Sequence, residues 1–303
     1  MPHLLNLSDL GSAGLVQVLD RADRHRAQRG KTATDTLRGK SIALVFEKAS
    51  TRTRISLEVA VAELGGHPLV ITSQGSQMGR GEPIRDTARV LCRMVHGITF
   101  RTSGDERLRE MAEFSSVPVL NALTDTSHPM QLLADLMTVR RIRGDLNELT
   151  FAWVGDGNNM AASWIEAAGL LKLRLRLACP RGFLPDPALV EAAVAAGGKV
   201  DVLQDPALAT AGADVVSTDV FTSMGQEAES RARNEAFQGY RLTQELLSAA
   251  SEEVVVLHCL PAHRGEEIDD AVLEGPRSFV WDQAEARLHT AKAALEWAIA
   301  ESG

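Results

Sequence analysis

The chain has 303 residues, 45% hydrophobic and 24% charged, which excludes an intrinsically disordered protein and is long enough for two domain cores. Its 32 basic and 40 acidic residues leave a formal charge of −8, a poor footprint for a nucleic-acid binder, although a local basic pocket is compatible with it. No apolar run reaches the ~18–20 residues of a membrane span, and residues 1–8 lack the layout of a signal or transit peptide, so the expectation is a soluble, cytoplasmic enzyme with no membrane partner.

Short β-branched runs alternate with longer amphipathic stretches, the pattern of an α/β chain with parallel sheets. Ser8 is the expected N-cap of a first helix with Leu10, Leu15, Val18 and Leu19 on one face. Residues 41–46 read as a buried strand, 54–64 as a helix closed by Gly65-Gly66, and 68–72 as the next strand. A polar loop with three glycines spans 73–83. Residues 86–95 return to helix, 97–100 and 117–120 to strand, and 129–140 to a helix that opens on proline. The polar stretch 140–147 places a domain boundary near residue 143. A second set follows, with strands at 149–154, 173–178, 199–202, 213–217 and 253–257 and helices at 161–171 and 189–196. A long amphipathic helix, 284–300, comes last. The result is two α/β halves of roughly 150 residues each.

Five segments carry chemistry. Phe46 to Arg54 leaves a strand and enters a helix, where unpaired N–H groups and the helix dipole attract anions. Ser50, Thr51 and Thr53 add hydroxyls and Arg52 a bidentate guanidinium, so the segment suits a phosphate, or else it is a plain helix cap. It is no Walker A loop, since GxxxxGK[ST] is absent. In Ser127-His128-Pro129-Met130-Gln131, His128 and Gln131 fall across one helical turn and face one pocket. Histidine there can donate to an oxyanion and Gln131 can meet an amide, yet a single histidine at a helix start is more often structural. Gly155-Asp156-Gly157-Asn158-Asn159-Met160 invites a dinucleotide site, but Met160 fills the place of the third glycine, so a substrate-binding turn fits better.

The stretch 219–227 follows a strand; Asp219 suits an ammonium and Ser223 a carboxylate, and an ordinary capped loop is an equal reading. His258-Cys259-Leu260-Pro261 suggests a thiol nucleophile with its base, but neighbours on an extended chain point to opposite faces. The three cysteines, Cys92, Cys179 and Cys259, show no paired spacing, which argues against a disulfide scaffold and a structural zinc site.

Together these segments resemble the transcarbamylases, and within them the ornithine carbamoyltransferase branch, over essentially the whole chain and in motif order. Ser50-Thr51-Arg52-Thr53 looks like the carbamoyl-phosphate signature, and Phe100-Arg101-Thr102 and His128-Pro129-Met130-Gln131 look like its partners. The 219–227 stretch looks like the SMG loop of the ornithine branch, His258-Cys259-Leu260-Pro261 matches that branch, and Arg287 fits the last motif. Ala286 stands where the family commonly has Asn, and Met130 where it often has Thr or Cys; neither replaces a residue with a ligand role.

The resemblance implies two doubly wound parallel-sheet domains. Residues 1–143 would bind carbamoyl phosphate and 144–283 L-ornithine, with the helix 284–301 returning to pack on the first domain. It implies a homotrimer or a multiple of trimers with shared sites, in which Gln77 reaches the neighbour's carbamoyl phosphate. No metal, organic cofactor or nucleic acid is implied.

Ser50, Thr51, Arg52, Thr53 and Arg101 would hold the phosphate. Thr53, Arg101 and His128 would form an oxyanion hole, and Gln131 would fix the carbamoyl amide. Asn159, Asp219, Ser223 and Met224 would hold ornithine. Cys259 and the Leu260 backbone would lie near the δ-nitrogen and the carbamoyl group, and Arg287 on the carbonyl, with no covalent intermediate. Closure of the 219–227 loop would exclude water. The product would be L-citrulline, which places the reaction in arginine metabolism, arginine biosynthesis included.

Other readings are nearby. Putrescine lacks a carboxylate for the SMG loop, and an N-acylornithine lacks the ammonium that Asp219 expects. Aspartate carbamoyltransferases typically lack the SMG and HCLP segments. Met160 disfavours a nicotinamide-dependent dehydrogenase, and the second-half motifs disfavour a non-catalytic carbamoyl-phosphate binder.

Overall fold

Apolar runs with no polar alternation must be covered on both faces, and parallel strands need crossovers to return the chain. Both demands are met here by helices between successive strands. The structure, a computed structural model, describes residues 2–32, 34–222 and 230–300. Two units are distinguished: one runs to Met137 and resumes at Glu285, and the other is Thr138–Ala284.

The first unit begins with α1 (Gly11–Gln28) and continues β1 (Ser41–Phe46), α2 (Arg52–Glu63), β2 (His67–Thr72), α3 (Ile84–Leu91), β3 (Gly97–Arg101), α4 (Asp105–Glu113), β4 (Val119–Leu123) and the start of α5 (Pro129–Arg143), which passes into the second unit after Met137. Its four strands are parallel in the order β2-β1-β3-β4. The winding direction reverses between β1 and β3, and Phe46 pairs with Arg101 at their C-terminal ends. Open α/β sheets bind ligands at such a switch point.

The second unit holds β5 (Thr150–Val154), α6 (Asn159–Leu171), β6 (Arg174–Ala178), α7 (Pro187–Ala195), β7 (Lys199–Leu203), α8 (Pro206–Thr210), β8 (Val215–Thr218), α9 (Ser230–Ala236), α10 (Gln244–Leu247), β9 (Val255–His258) and α11 (Asp270–Leu273). Its sheet is parallel in the order β7-β6-β5-β8-β9, with the reversal between β5 and β8. Thr218 pairs with His258, so Asp219 and Cys259 leave adjoining strand ends in register.

The last helix, α12 (Val280–Leu295), ends in the π-helical turn Glu296–Ala300 and belongs to the first unit from Glu285 onward. It is fastened there by Lys292 to Glu63 and by His25, whose Nε2 lies 2.9 Å from the Glu296 carboxylate. A Cβ on Gly97 would lie 2.6 Å from Ile299 Cδ1, so a larger residue there would require the Ile299 side chain to shift.

Several expectations are corrected. Ser8 does not cap the first helix: it sits inside a 3₁₀ turn, Leu7–Asp9, whose Asp9 carboxylate accepts the Asn6 N–H at 2.9 Å. The α2 helix starts at Arg52, since Thr51 is already helical at φ −86°, ψ −59°. The polar run 140–147 is helical through Arg143, and the final helix begins at Val280. Helix α4, unanticipated, opens on Asp105 and Glu106 and buries Leu108, Met111 and Ala112.

Candidate active site

In the first unit the turn after β1 is held by its own side chains. Glu47 pairs with Arg107 and accepts from Thr102, and Lys48 Nζ lies 2.8 Å from the Asp125 carboxylate. The α2 helix that follows carries no side-chain N-cap bond. Arg52 is half-buried, Thr51 exposed, and Thr53 buried. Arg101 Nη1 donates to Ser50 Oγ at 2.8 Å, and Arg287 Nη2 to Thr53 Oγ1 at 2.6 Å. Both arginines are nearly enclosed, at 7% and 5% exposure. Two buried cations at the start of an uncapped helix make a field for a dianion.

His128 and Gln131 sit at the start of α5, both buried, with the His128 carbonyl accepting the Gln131 N–H at 3.1 Å. Burial, reinforced by the charges of Arg287 and then Arg101, holds the His128 imidazole well below its ordinary range. It is therefore neutral at pH 7 and keeps one N–H to donate. Gln131 Nε2 donates to Asp135 Oδ1 at 2.8 Å, while its Oε1 is buried without a hydrogen-bond partner among the described residues. The amide is thereby oriented with an acceptor left over.

Gln77 is exposed in the 73–83 loop. The loop folds back so closely that a Cβ on Gly79 would meet the Ser73 carbonyl oxygen at 2.0 Å.

In the second unit the Gly155–Gly157 turn is shaped by the chain itself. A Cβ on Gly157 would come within 2.3 Å of Pro185 N and 2.5 Å of Leu184 C. That close approach accounts for the glycine without any dinucleotide. Asn158 caps α6 through Met160 N at 2.9 Å, and its Nδ2 donates to Asp219 Oδ2 at 3.1 Å. Asn159, the residue expected to bind ornithine, is the first residue of α6, and its carbonyl accepts from Ser163 Oγ. Sequence reasoning passed over Asn158, whose place just before the helix was the available signal.

Asp219 Oδ1 also accepts from Cys259 Sγ at 3.0 Å and from Val220 N at 2.8 Å. His258 makes no bond to that pair: its Nε2 meets Glu267 Oε1 at 2.9 Å and its Nδ1 accepts the Leu260 N–H. Asp219 and Cys259 thus come together, Leu260 N donates instead to His258 Nδ1, and Ser223 and Met224 lie outside the described residues. Asp156 and Arg233, neither singled out as ligands, form a buried ion pair at 2.6 Å, and Arg233 Nη1 also donates to the Phe221 carbonyl.

Among the described residues, two groups bring three metal-capable atoms within 4.8 Å: Asp219, His258, Cys259 and His263, Glu266, Glu267. In the first, both His258 ring nitrogens already have hydrogen-bond partners, Glu267 and Leu260 N.

Comparison with known proteins agrees with this layout. A model of the aspartate/ornithine carbamoyltransferase carbamoyl-P binding domain matches residues 2–141, and one of the Asp/Orn binding domain matches residues 147–298. The chain is 57% identical over 260 residues to an ornithine carbamoyltransferase of Geobacter sulfurreducens, covering 86% of each. It is 49% identical to that of Archaeoglobus fulgidus, covering 97% of this chain and 96% of the other. The crystal structure of ornithine carbamoyltransferase from Thermus thermophilus superposes with a TM-score of 0.91 at 43% identity, covering 99% of both chains. With both family domains matched in order and relatives similar along nearly its full length, the chain belongs to the aspartate/ornithine carbamoyltransferase family.

Proposed function

We propose that the chain transfers the carbamoyl group of carbamoyl phosphate to the δ-amino group of L-ornithine, giving L-citrulline and phosphate. The observation that carries this reading is the set of two buried guanidiniums and a neutral imidazole at the uncapped start of α2. Ornithine, rather than another amine, is supported by the names of the relatives. It is supported also by Asp219, whose carboxylate suits the substrate's α-ammonium.

Ser50, Thr51, Arg52, Thr53 and Arg101 bind the phosphate dianion. The δ-amine, once neutral, attacks the carbamoyl carbon; the new C–N bond forms as the C–O bond to phosphate breaks. Charge gathers on the carbonyl oxygen, where Thr53, Arg101, His128 and Arg287 stabilise it, at roughly 3–4 kcal/mol per donor. Neutrality suits His128 to this role, because it donates without adding a third fixed charge beside Arg101 and Arg287. The amine proton departs with phosphate, so no dedicated base is needed. Gln131 fixes the carbamoyl amide with its spare acceptor. Asn159 and Asp219 hold ornithine, joined by Ser223 and Met224, for which the resemblance is the support. Cys259 and the Leu260 backbone orient the δ-nitrogen and carbamoyl group.

The same reading makes 1–143 with 284–301 the carbamoyl-phosphate domain and 144–283 the ornithine domain. It makes the protein a cytoplasmic homotrimer, or a multiple of trimers, serving arginine biosynthesis. In it the exposed Gln77 reaches a neighbour's carbamoyl phosphate. No helix among the described residues is long and apolar enough to cross a membrane. The test is incubation of the purified chain with carbamoyl phosphate and ornithine. Citrulline and phosphate should appear in equal amounts; phosphate without citrulline would contradict the reading.

A further inference from the structure

Behind the Cys259 turn lies an acid that no motif singled out. Glu267 has no exposed surface, and its Oε1 accepts from both His258 Nε2 at 2.9 Å and His263 N at 2.6 Å. On the opposite edge of the ring, His258 Nδ1 accepts the Leu260 N–H at 2.9 Å. A ring nitrogen that accepts carries no proton, so the His258 proton sits on Nε2, facing Glu267. The His258 backbone N–H is held in turn by Gln283 Oε1 at 3.0 Å.

Leu260 needs this support. Its φ of 59° lies in the left-handed region, which a residue with a side chain adopts only under strain. Between these two anchored residues is Cys259, whose thiol reaches Asp219.

We propose that Glu267 is a positioning residue for ornithine carbamoylation: it locks the His258 tautomer that presents Nδ1 to Leu260 N–H, and so sets the Leu260 backbone and the aim of the Cys259 thiol. Glu267 itself touches no substrate. Without its carboxylate the ring proton is free to move to Nδ1, where it would oppose the Leu260 N–H and release the strained turn. The proposal rests on the ornithine reading above, and its experiment separates the two.

Nitrogen-15 spectra of the full chain labelled at histidine, with His258 assigned by its loss in His258→Asn, should show Nε2 protonated and Nδ1 bare. Glu267→Leu should abolish that signature. It should lower kcat/KM for ornithine roughly 10–100-fold while the KM for carbamoyl phosphate stays within about two-fold. Glu267→Gln keeps one acceptor, so it should recover most of the loss, and it replaces Glu267→Leu if the latter does not fold. In a His258→Asn background, Glu267→Gln should add no further loss, because the residue acts through the ring.

A protonated Nδ1 in the unaltered chain would overturn the proposal. So would equal losses for both substrates, or losses that simply add in the double variant. Absence of citrulline from the unaltered chain would instead overturn the ornithine reading, with the tautomer still reporting whether Glu267 governs the turn.

Discussion

Replacing Arg233 by methionine should destabilise the second unit severely. Arg233 Nη1 and Asp156 Oδ2 are 2.6 Å apart, and their side chains are only 8% and 12% exposed. At that separation the gross attraction is about 6 kcal/mol for an effective dielectric near 20, largely offset by the cost of drying both ions. The intact pair therefore contributes little net, but removing the guanidinium takes its charge away from a carboxylate that stays buried, which costs up to about 3–5 kcal/mol. The guanidinium also lies 4.8 Å above the Phe183 ring and donates to the Phe221 carbonyl at 3.0 Å; these contacts go too.

Urea unfolding followed by tryptophan fluorescence suits the measurement. Trp153 and Trp164 are buried in the same unit, and Trp153 Nε1 donates to the Asp156 carbonyl at 2.9 Å. With a slope of about 2 kcal/mol per molar, the midpoint should fall by about 1.5–2.5 M. Adding Asp156→Asn should restore part of that loss, since the buried negative charge is then removed along with its cation. A single variant within about 1 kcal/mol of the parent, or a double variant as unstable as the sum of the two, would refute the argument.

Arg52→Lys keeps the charge but loses the bidentate fork, so kcat/KM for carbamoyl phosphate should fall roughly 10–100-fold in steady-state kinetics. Mixing Arg52-defective with Gln77-defective chains should restore part of the activity if sites are shared within a trimer; verified subunit exchange without recovery would contradict shared sites. His128, held low by burial, stays neutral in the folded chain while the unfolded chain takes up a proton below about pH 6.5. Its contribution is whole above that pH and is lost as pH falls, by up to about 1.4 kcal/mol per pH unit until the folded-state value is reached. Denaturation at stepped pH should show His128→Gln with the shallower decline; His3 and His289, also held low, titrate alike in both chains.

What could be read from the sequence was local. The strand of residues 41–46 has five consecutive buried positions, and its apolar run announced it. The proposed phosphate role of the turn that follows rests on residue type, hydroxyls and an arginine at a helix start. Helix α4 was passed over because its nine residues carry only three buried side chains. The larger omissions are contacts between distant positions. Asp156 and Arg233 are 77 residues apart, and Thr53 and Arg287 are 234 apart; no periodicity encodes such pairs. Glu267 sat only nine residues from His258, but what joins them is the return of the chain at 263–268, which a residue pattern does not show. Asn158 and Asn159 are the same residue type side by side, and only the cap geometry of α6 separates their duties.

The central claim is tested most directly by steady-state carbamoylation of ornithine, putrescine, N-acetylornithine and aspartate, measured side by side with carbamoyl phosphate saturating. Ornithine should give a kcat/KM above every other amine. The others should lag by about 100-fold or more, as expected when a buried polar group is left unpaired by a substrate lacking its partner. Putrescine or N-acetylornithine turned over as well as ornithine would contradict the account.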